Sequence, residues 1–162
     1  MRVTLEWFEV MLAATVGVRR QLEALRRGRP DCHGFDGATG WQVHIEGACG
    51  EMAFAKATGR YWSGSVNTFK IGGDVGAIQV RTRSREDYDL IVRDDDRDED
   101  IFVLVIGQAP TYRVVGWIRG MDGKRACWRQ RYGNRPVAYF IPQHALCSIV
   151  KPPSATVQPI PR

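Results

Sequence analysis

The sequence predicts an α/β or α+β domain with a central mixed β-sheet flanked by helices. Its first third shows helical periodicity, and the remainder is built of short extended runs bounded by turn residues. A length of 162 residues with 44% hydrophobic content is sufficient for one domain with a real core. We therefore expect a single domain over 1–150 and a Pro-rich mobile tail over 151–162.

Two helices are predicted before residue 60. The first spans 4–27, with Thr4 as its N-terminal cap and Gly28 at its end, and Gly17 allows a break in the middle. The second spans 45–58, where small residues suit close packing on a sheet, and Gly59 ends it. The apolar residues expected on one face of the first helix are Leu5, Phe8, Leu12, Val16, Leu22 and Leu25.

The rest of the chain is predicted to form strands, after a loop over 30–40 that is rich in Gly, Asp and Pro. The run 101–106 is apolar throughout, which is typical of a strand buried on both faces. We expect it to form a hairpin with 88–92 across the acidic segment 94–100. Further predicted elements are strands over 61–62, 68–71, 77–82, 112–118 and 137–141 and a short basic helix over 121–132.

The charge of the chain favours a protein that binds polyanions, and its acidic segment and cysteines argue against calcium and zinc sites. A net charge of +5 favours polyanionic partners, and basic and aromatic residues alternate between 113 and 135. The alternative is that the tryptophans belong to the core and the arginines solubilise a surface. The acidic segment 94–100 lacks the Gly and the terminal Glu of a calcium loop, and the four cysteines have no zinc-site spacing. The residues predicted to contact nucleic acid are Lys124, Arg125, Arg129 and Arg131.

Two absences predict the cellular location. The longest apolar run is far too short to span a bilayer, and the N-terminus lacks the residue order of a signal peptide. We therefore expect a soluble protein without membrane contact, located in the cytoplasm of a bacterial host cell.

The segment 73–82 carries the most information about chemistry. Along a strand, Ile78 and Val80 face one side while Gln79 and Arg81 project from the other. Asp74 lies on the Gly-rich turn just before this strand, so its carboxylate and the two polar side chains converge. The alternatives are an Asx turn at Asp74 and a solvated polar row at Gln79 and Arg81, or a pairing of that row with acids at 86 or 89.

Glu51, on the second predicted helix, completes the order Glu, Asp, Gln-x-Arg. The alternative is that Glu51 is an exposed acid near the N-terminus of that helix, where the helix dipole favours it. This order resembles the active-site layout of the PD-(D/E)XK nuclease-like superfamily. The resemblance implies a restriction-endonuclease-like core and a Mg²⁺ or Mn²⁺ ion held by Glu51, Asp74 and Gln79. It also implies that Arg81 grips the scissile phosphate. Two departures are Gln79, where the family has an acid, and Arg81, where it has a lysine that can act as a base.

Three function classes follow. The first is metal-dependent hydrolysis of DNA phosphodiesters with Glu51, Asp74, Gln79 and Arg81 as catalytic residues. The second is a noncatalytic protein that binds DNA or a host protein and keeps a degenerate nuclease core. The sequence does not decide between these two classes. The third is a protein that captures another protein through its hairpin and acidic segment. The downstream sequence resembles small phage and bacterial proteins with this core, and a homodimer is an open alternative.

Overall fold

The computed structural model describes residues 1–28, 39–66, 72–133 and 135–149. The strands are β1 (Arg2–Thr4), β2 (Ile78–Arg83), β3 (Leu90–Arg93), β4 (Ile101–Gln108), β5 (Thr111–Arg119), β6 (Arg129–Gln130) and β7 (Ala138–Ile141). The helices are α1 (Trp7–Arg26), α2 (Thr39–Thr58) and the single turn α3 (Gly120–Gly123), with 3-10 turns at Ala126–Trp128 and Gln143–Ala145.

These strands form two sheets. The larger is mixed, with the order β1-β5-β4-β2, and the smaller is antiparallel, with the order β3-β7-β6. Helix α2 contacts all four strands of the larger sheet, and α1 packs on α2. The predicted mixed α+β class, with a mixed sheet and helices beside it, is confirmed.

Strand β4 is the centre of the fold. It pairs in parallel with β2 and antiparallel with β5, and its side chains from Ile101 to Ile106 are all buried. Val103 and Val105 join the core beneath α2, while Phe102 and Leu104 pack with β3 and β7. The prediction of a strand buried on both faces is confirmed.

Two predictions for the second half of the chain are wrong: a strand pairing and a helix. β3 pairs with β7 rather than with β4, because Leu90 and Val92 pack face to face against the larger sheet instead of extending it. The basic helix over 121–132 is reduced to α3, a 3-10 turn and β6. The Gly120 and Met121 amides at the start of α3 donate to backbone carbonyls of the acidic segment, at 2.8 and 2.9 Å, which holds this turn against that segment.

The helix boundaries differ from the sequence expectation at their starts. Thr4 ends β1, a strand that was not predicted, and α1 is capped by Glu6, which forms a capping box with Glu9. α2 begins six residues earlier than expected, at Thr39. Both predicted ends are confirmed: Gly28 and Gly59 follow their helices with φ of 57° and 64°.

Some predictions fall on residues that the structure does not describe. The predicted strand over 68–71, the tail over 151–162 and most of the loop over 30–40 lie outside the described residues. Residues 61–62 are described and carry no strand. No helix in the described ranges is both long enough and apolar enough to cross a membrane.

Small residues set the packing of α1. Its buried positions are Ala13, Gly17 and Gln21, which lie at i, i+4 and i+8 along one face. A Cβ at Gly17 would lie 2.5 Å from the Ile45 Cα, so the two helix backbones touch there. The helix is continuous through Gly17, so the break that this glycine allows does not occur. This close approach turns several large residues of the expected apolar face outward, among them Phe8 and Leu22.

Candidate functional site

Asp74 is held in a tight glycine turn beside the edge of β2 that faces away from β4. The Gly73 amide donates to the Gly76 carbonyl at 3.0 Å, and the Asp74 amide donates to the Ile78 carbonyl at 2.8 Å. A Cβ at Gly73 would lie 2.4 Å from the Ile78 nitrogen, and Gly76 has a φ of 64°, so this turn requires glycine at both positions. Asp74 therefore lies in the turn, before the strand begins.

The Asp74 carboxylate does more than an Asx turn would. Its Oδ2 accepts the Val80 backbone N–H at 2.7 Å, across six residues. β2 has a sheet partner on one side, β4, so this bond satisfies a donor on its other edge. The carboxylate is thereby fixed beside the strand that carries Gln79 and Arg81.

The predicted alternation along β2 is confirmed. Ile78 and Val80 are buried in the core beneath α2. Gln79 and Arg81 are half-buried on the other face, where their register partners on β4 are Phe102 and Leu104. The polar pair consequently lies on the face of the larger sheet opposite α2, with both side chains half-buried.

Glu51 is only 4% exposed, so it is not an exposed helix acid. Arg20 clamps it with two parallel bonds, from Nη1 to Oε1 at 2.6 Å and from Nη2 to Oε2 at 2.9 Å. The Trp62 indole N–H also donates to Oε2 at 3.0 Å, and Arg20 Nε donates to the Ser65 carbonyl at 3.0 Å. The carboxylate of Glu51 is therefore fully engaged by neighbouring donors.

Glu51 lies close enough to Asp74 for its charge to act on the Asp74 carboxyl. Burial raises the pKa of Asp74 to about 6, and the charge of Glu51 adds to the rise. The Val80 amide and the charges of Arg81 and Arg20 oppose it. Three of the four residues predicted from sequence, Glu51, Asp74 and Arg81, thus form one electrostatic cluster at the β2 edge.

Arg81 and Gln79 have partners that were not predicted. Arg81 Nη2 donates to Asp96 Oδ1 at 2.8 Å, and its guanidinium lies 5.1 Å from the centre of the Phe102 ring. The pairing of Arg81 with an acid at 86 or 89 is therefore wrong. The Gln79 amide nitrogen donates to the Gly72 carbonyl at 3.4 Å, which leaves its carbonyl oxygen to accept or to ligate.

Asp100 joins this site from the end of the acidic segment. Burial raises the pKa of Asp100, and a hydrogen bond with the Gln79 side chain acts in the opposite direction. Because β2 and β4 are parallel, the acid just before β4 lies next to the start of β2. Knowledge of the parallel β2–β4 pairing would have identified Asp100 as a site residue. Arg20 and Trp62 lie far from the segment 73–82 in sequence, and no sequence pattern indicates that they belong to the site.

The predicted nucleic-acid residues are only partly available to a ligand. Lys124 Nζ donates to the Asp94 carbonyl at 3.2 Å, to the Asp96 carbonyl and to Asp98 Oδ1 at 2.8 Å, so it ties down the acidic segment. Arg129 pairs with Asp94 at 3.4 Å in an exposed ion pair. Arg125 lies 5.0 Å from the centre of the Trp128 ring, and Arg131 is exposed.

The positions of Asp74, Gln79 and Glu51 show how well a divalent cation would fit at the edge of β2. Mg²⁺ prefers oxygen ligands and is commonly held by one or two carboxylates together with water and phosphate. Asp74 and Gln79 offer such oxygens, whereas Glu51 would have to leave Arg20 first. Among the residues that the structure describes, no group of three His, Cys, Asp or Glu side chains could hold a metal ion. A cation at this position would therefore need most of its ligands from water or from a substrate.

Searches against protein-family models, curated proteins and solved structures gave no match to this chain. The superfamily resemblance and the roles it implies for the β2-edge residues consequently stay predictions.

Proposed function

We propose that this protein hydrolyses DNA phosphodiesters with a divalent cation at the β2 edge. The observation that carries the proposal is the gathering of Asp74, Glu51 and Arg81 at one point, where burial and Glu51 raise the pKa of Asp74 to about 6. Two carboxylates that repel each other where water has little access are stabilised by a bound cation. Such sites occur more often where chemistry takes place than elsewhere.

Each side chain has a definite task under this proposal. Asp74 and the Gln79 carbonyl oxygen hold the cation, which supplies an activated water and charge stabilisation when bound. Arg81 is aligned by Asp96 and donates to a nonbridging phosphate oxygen. Its Nε is buried and has no hydrogen-bond partner in the described structure, so one donor of the guanidinium is still unsatisfied. Arginine stays protonated and acts here as a clamp rather than a base.

A noncatalytic DNA-binding protein is the second candidate, and the Arg20 clamp on Glu51 favours it. A bidentate arginine already neutralises that carboxylate, so a cation gains less from it. In this case the basic residues Arg125 and Arg131 contact phosphates, and binding weakens steeply as salt rises.

The deciding experiment is incubation of the purified chain with supercoiled and single-stranded DNA, with and without Mg²⁺ or Mn²⁺. We expect metal-dependent cleavage that disappears in Asp74→Asn, which keeps an oxygen to accept the Val80 N–H. Asp87→Asn is the matched control, because Asp87 is exposed and pairs with Arg85 outside the site. DNA binding without cleavage would support the second candidate, and absence of both would reject the two together.

A further inference from the structure

The outward face of α1 is more apolar than a solvated helix face. Its exposed large residues are between 49% and 72% exposed, and Thr15 and Arg19 are the polar residues between them. A helix that packs on one side of a domain normally presents charged and polar residues on its opposite face. The exposed large apolar residues are Trp7, Phe8, Met11, Leu12, Leu22 and Leu25.

The size of this patch is that of a protein interface. At roughly 150–250 Å² for a fully exposed large side chain, the six residues expose about 500–900 Å² per protomer. The largest apolar patch on a monomer is about 300–600 Å², and a standard interface buries about 800 Å² per partner. The patch is therefore large enough to supply most of one side of a stable dimer.

The order of residues on this face is self-complementary. Reversal about the helix midpoint, between residues 16 and 17, maps four of the six large outward residues onto one another, while Leu12 falls opposite the buried Gln21. Phe8 falls opposite Leu25, and Met11 opposite Leu22, while Thr15 falls opposite Val18 where two helices would cross. Large residues at both ends with smaller ones at the crossing point suit two antiparallel copies.

The charges at the helix ends follow the same reversal. Glu6, exposed before the first turn, falls opposite Arg27, and Trp7 falls opposite Arg26. Both arginines pair with Glu23 of their own helix, Arg26 at 3.1 Å and Arg27 at 2.7 Å. Between two antiparallel copies, Glu6 and Arg27 would add an ion pair at the rim, and Trp7 and Arg26 would add a cation–π contact. A lipid surface would attract Arg19 and Arg26 but would repel Glu6, so the pattern matches a second copy of this helix better than it matches a membrane.

We infer that α1 is a homodimer interface in which two copies of the helix pack antiparallel about a two-fold axis, with Met11 of one copy against Leu22 of the other. The inference does not depend on the proposed nuclease activity. A two-fold interface presents the same patch on both copies, so every substitution acts twice.

The test is the molecular mass in solution, by light scattering and sedimentation from about 1 to about 200 µM protein. We expect a dimer. Met11→Lys and Leu22→Glu should each raise the dissociation constant about 10- to 100-fold. The double variant should restore the dimer, because the two new charges of opposite sign face each other twice. Met121→Lys is the matched control, since Met121 is 58% exposed but lies on α3.

Three results would overturn the inference. The first is a wild-type protein that stays monomeric over the whole concentration range. A monomer that sediments with vesicles of anionic phospholipid belongs to this outcome, because it would show that the face binds lipid. The second is a dimer that tolerates either single variant as well as it tolerates Met121→Lys. The third is a double variant as weak as the single ones, with each variant shown by circular dichroism to retain its helix content.

Discussion

Replacing Asp74 by asparagine should make the protein more stable at neutral pH and leave it unchanged in acid. The Asp74 carboxyl has a folded-state pKa of about 6, against an ordinary value of 3.8. A folded pKa above the unfolded one means that the folded state binds the proton more tightly. Stability therefore falls as the pH rises from 3.8 to 6, and the whole cost is present above that window.

The size of the effect follows from the shift. At about 1.4 kcal/mol per pKa unit, the rise in the pKa of Asp74 lowers the free energy of unfolding at neutral pH by at most about 3 kcal/mol. The side chain introduced by Asp74→Asn would carry no charge at any of these pH values but would keep an oxygen for the Val80 N–H. The difference in unfolding free energy between Asp74→Asn and wild type should thus grow from near zero below about pH 3 to about 1–3 kcal/mol at about pH 8.

The assay is urea denaturation followed by circular dichroism at several pH values, and the quantity to plot is the difference between variant and wild type. Groups that titrate equally in both proteins cancel in this difference. Asp87→Asn should show the opposite sign, because a hydrogen bond from Arg85 lowers the pKa of Asp87. A difference for Asp74→Asn that does not change with pH would refute the assignment of a buried, repelled carboxylate at this position.

Two further predictions concern the contacts that position the site. Gly50→Ala should destabilise the fold by about 1–3 kcal/mol, because its Cβ would lie 1.9 Å from Thr82 Oγ1, on a stiff β-branched side chain. Gly47→Ala, in the same helix but with nothing within 4 Å of its Cβ, should instead stabilise by about 1 kcal/mol, and equal effects in urea denaturation would contradict this packing. Arg20→Ala should cost about 3–5 kcal/mol because it leaves Glu51 buried without its cation, and a loss under about 1 kcal/mol by the same measurement would show that the pair is not buried in solution.

Local periodicity predicted the parts of the fold that depend on neighbouring residues. The double burial of β4 follows from its continuous apolar run, and the two faces of β2 follow from alternation. Sheet partners were not predictable, because Leu90 and Val92 suit an edge of the larger sheet as well as a second sheet packed on it. The face of α1 that is buried was missed for a related reason: small residues, not large ones, decide how closely two helices approach.

The candidate site shows the same division between local and distant information. The turn at Asp74 and the projection of Gln79 and Arg81 could be predicted because they depend on a short run of consecutive residues. The environment of Glu51 could not, because Arg20 reaches it from another helix across 31 positions. A guanidinium and a divalent cation compete for the same two carboxylate oxygens. The charge state of this site is therefore set by how α1 packs on α2, and α1 is also the helix whose outer face matches a second copy of itself.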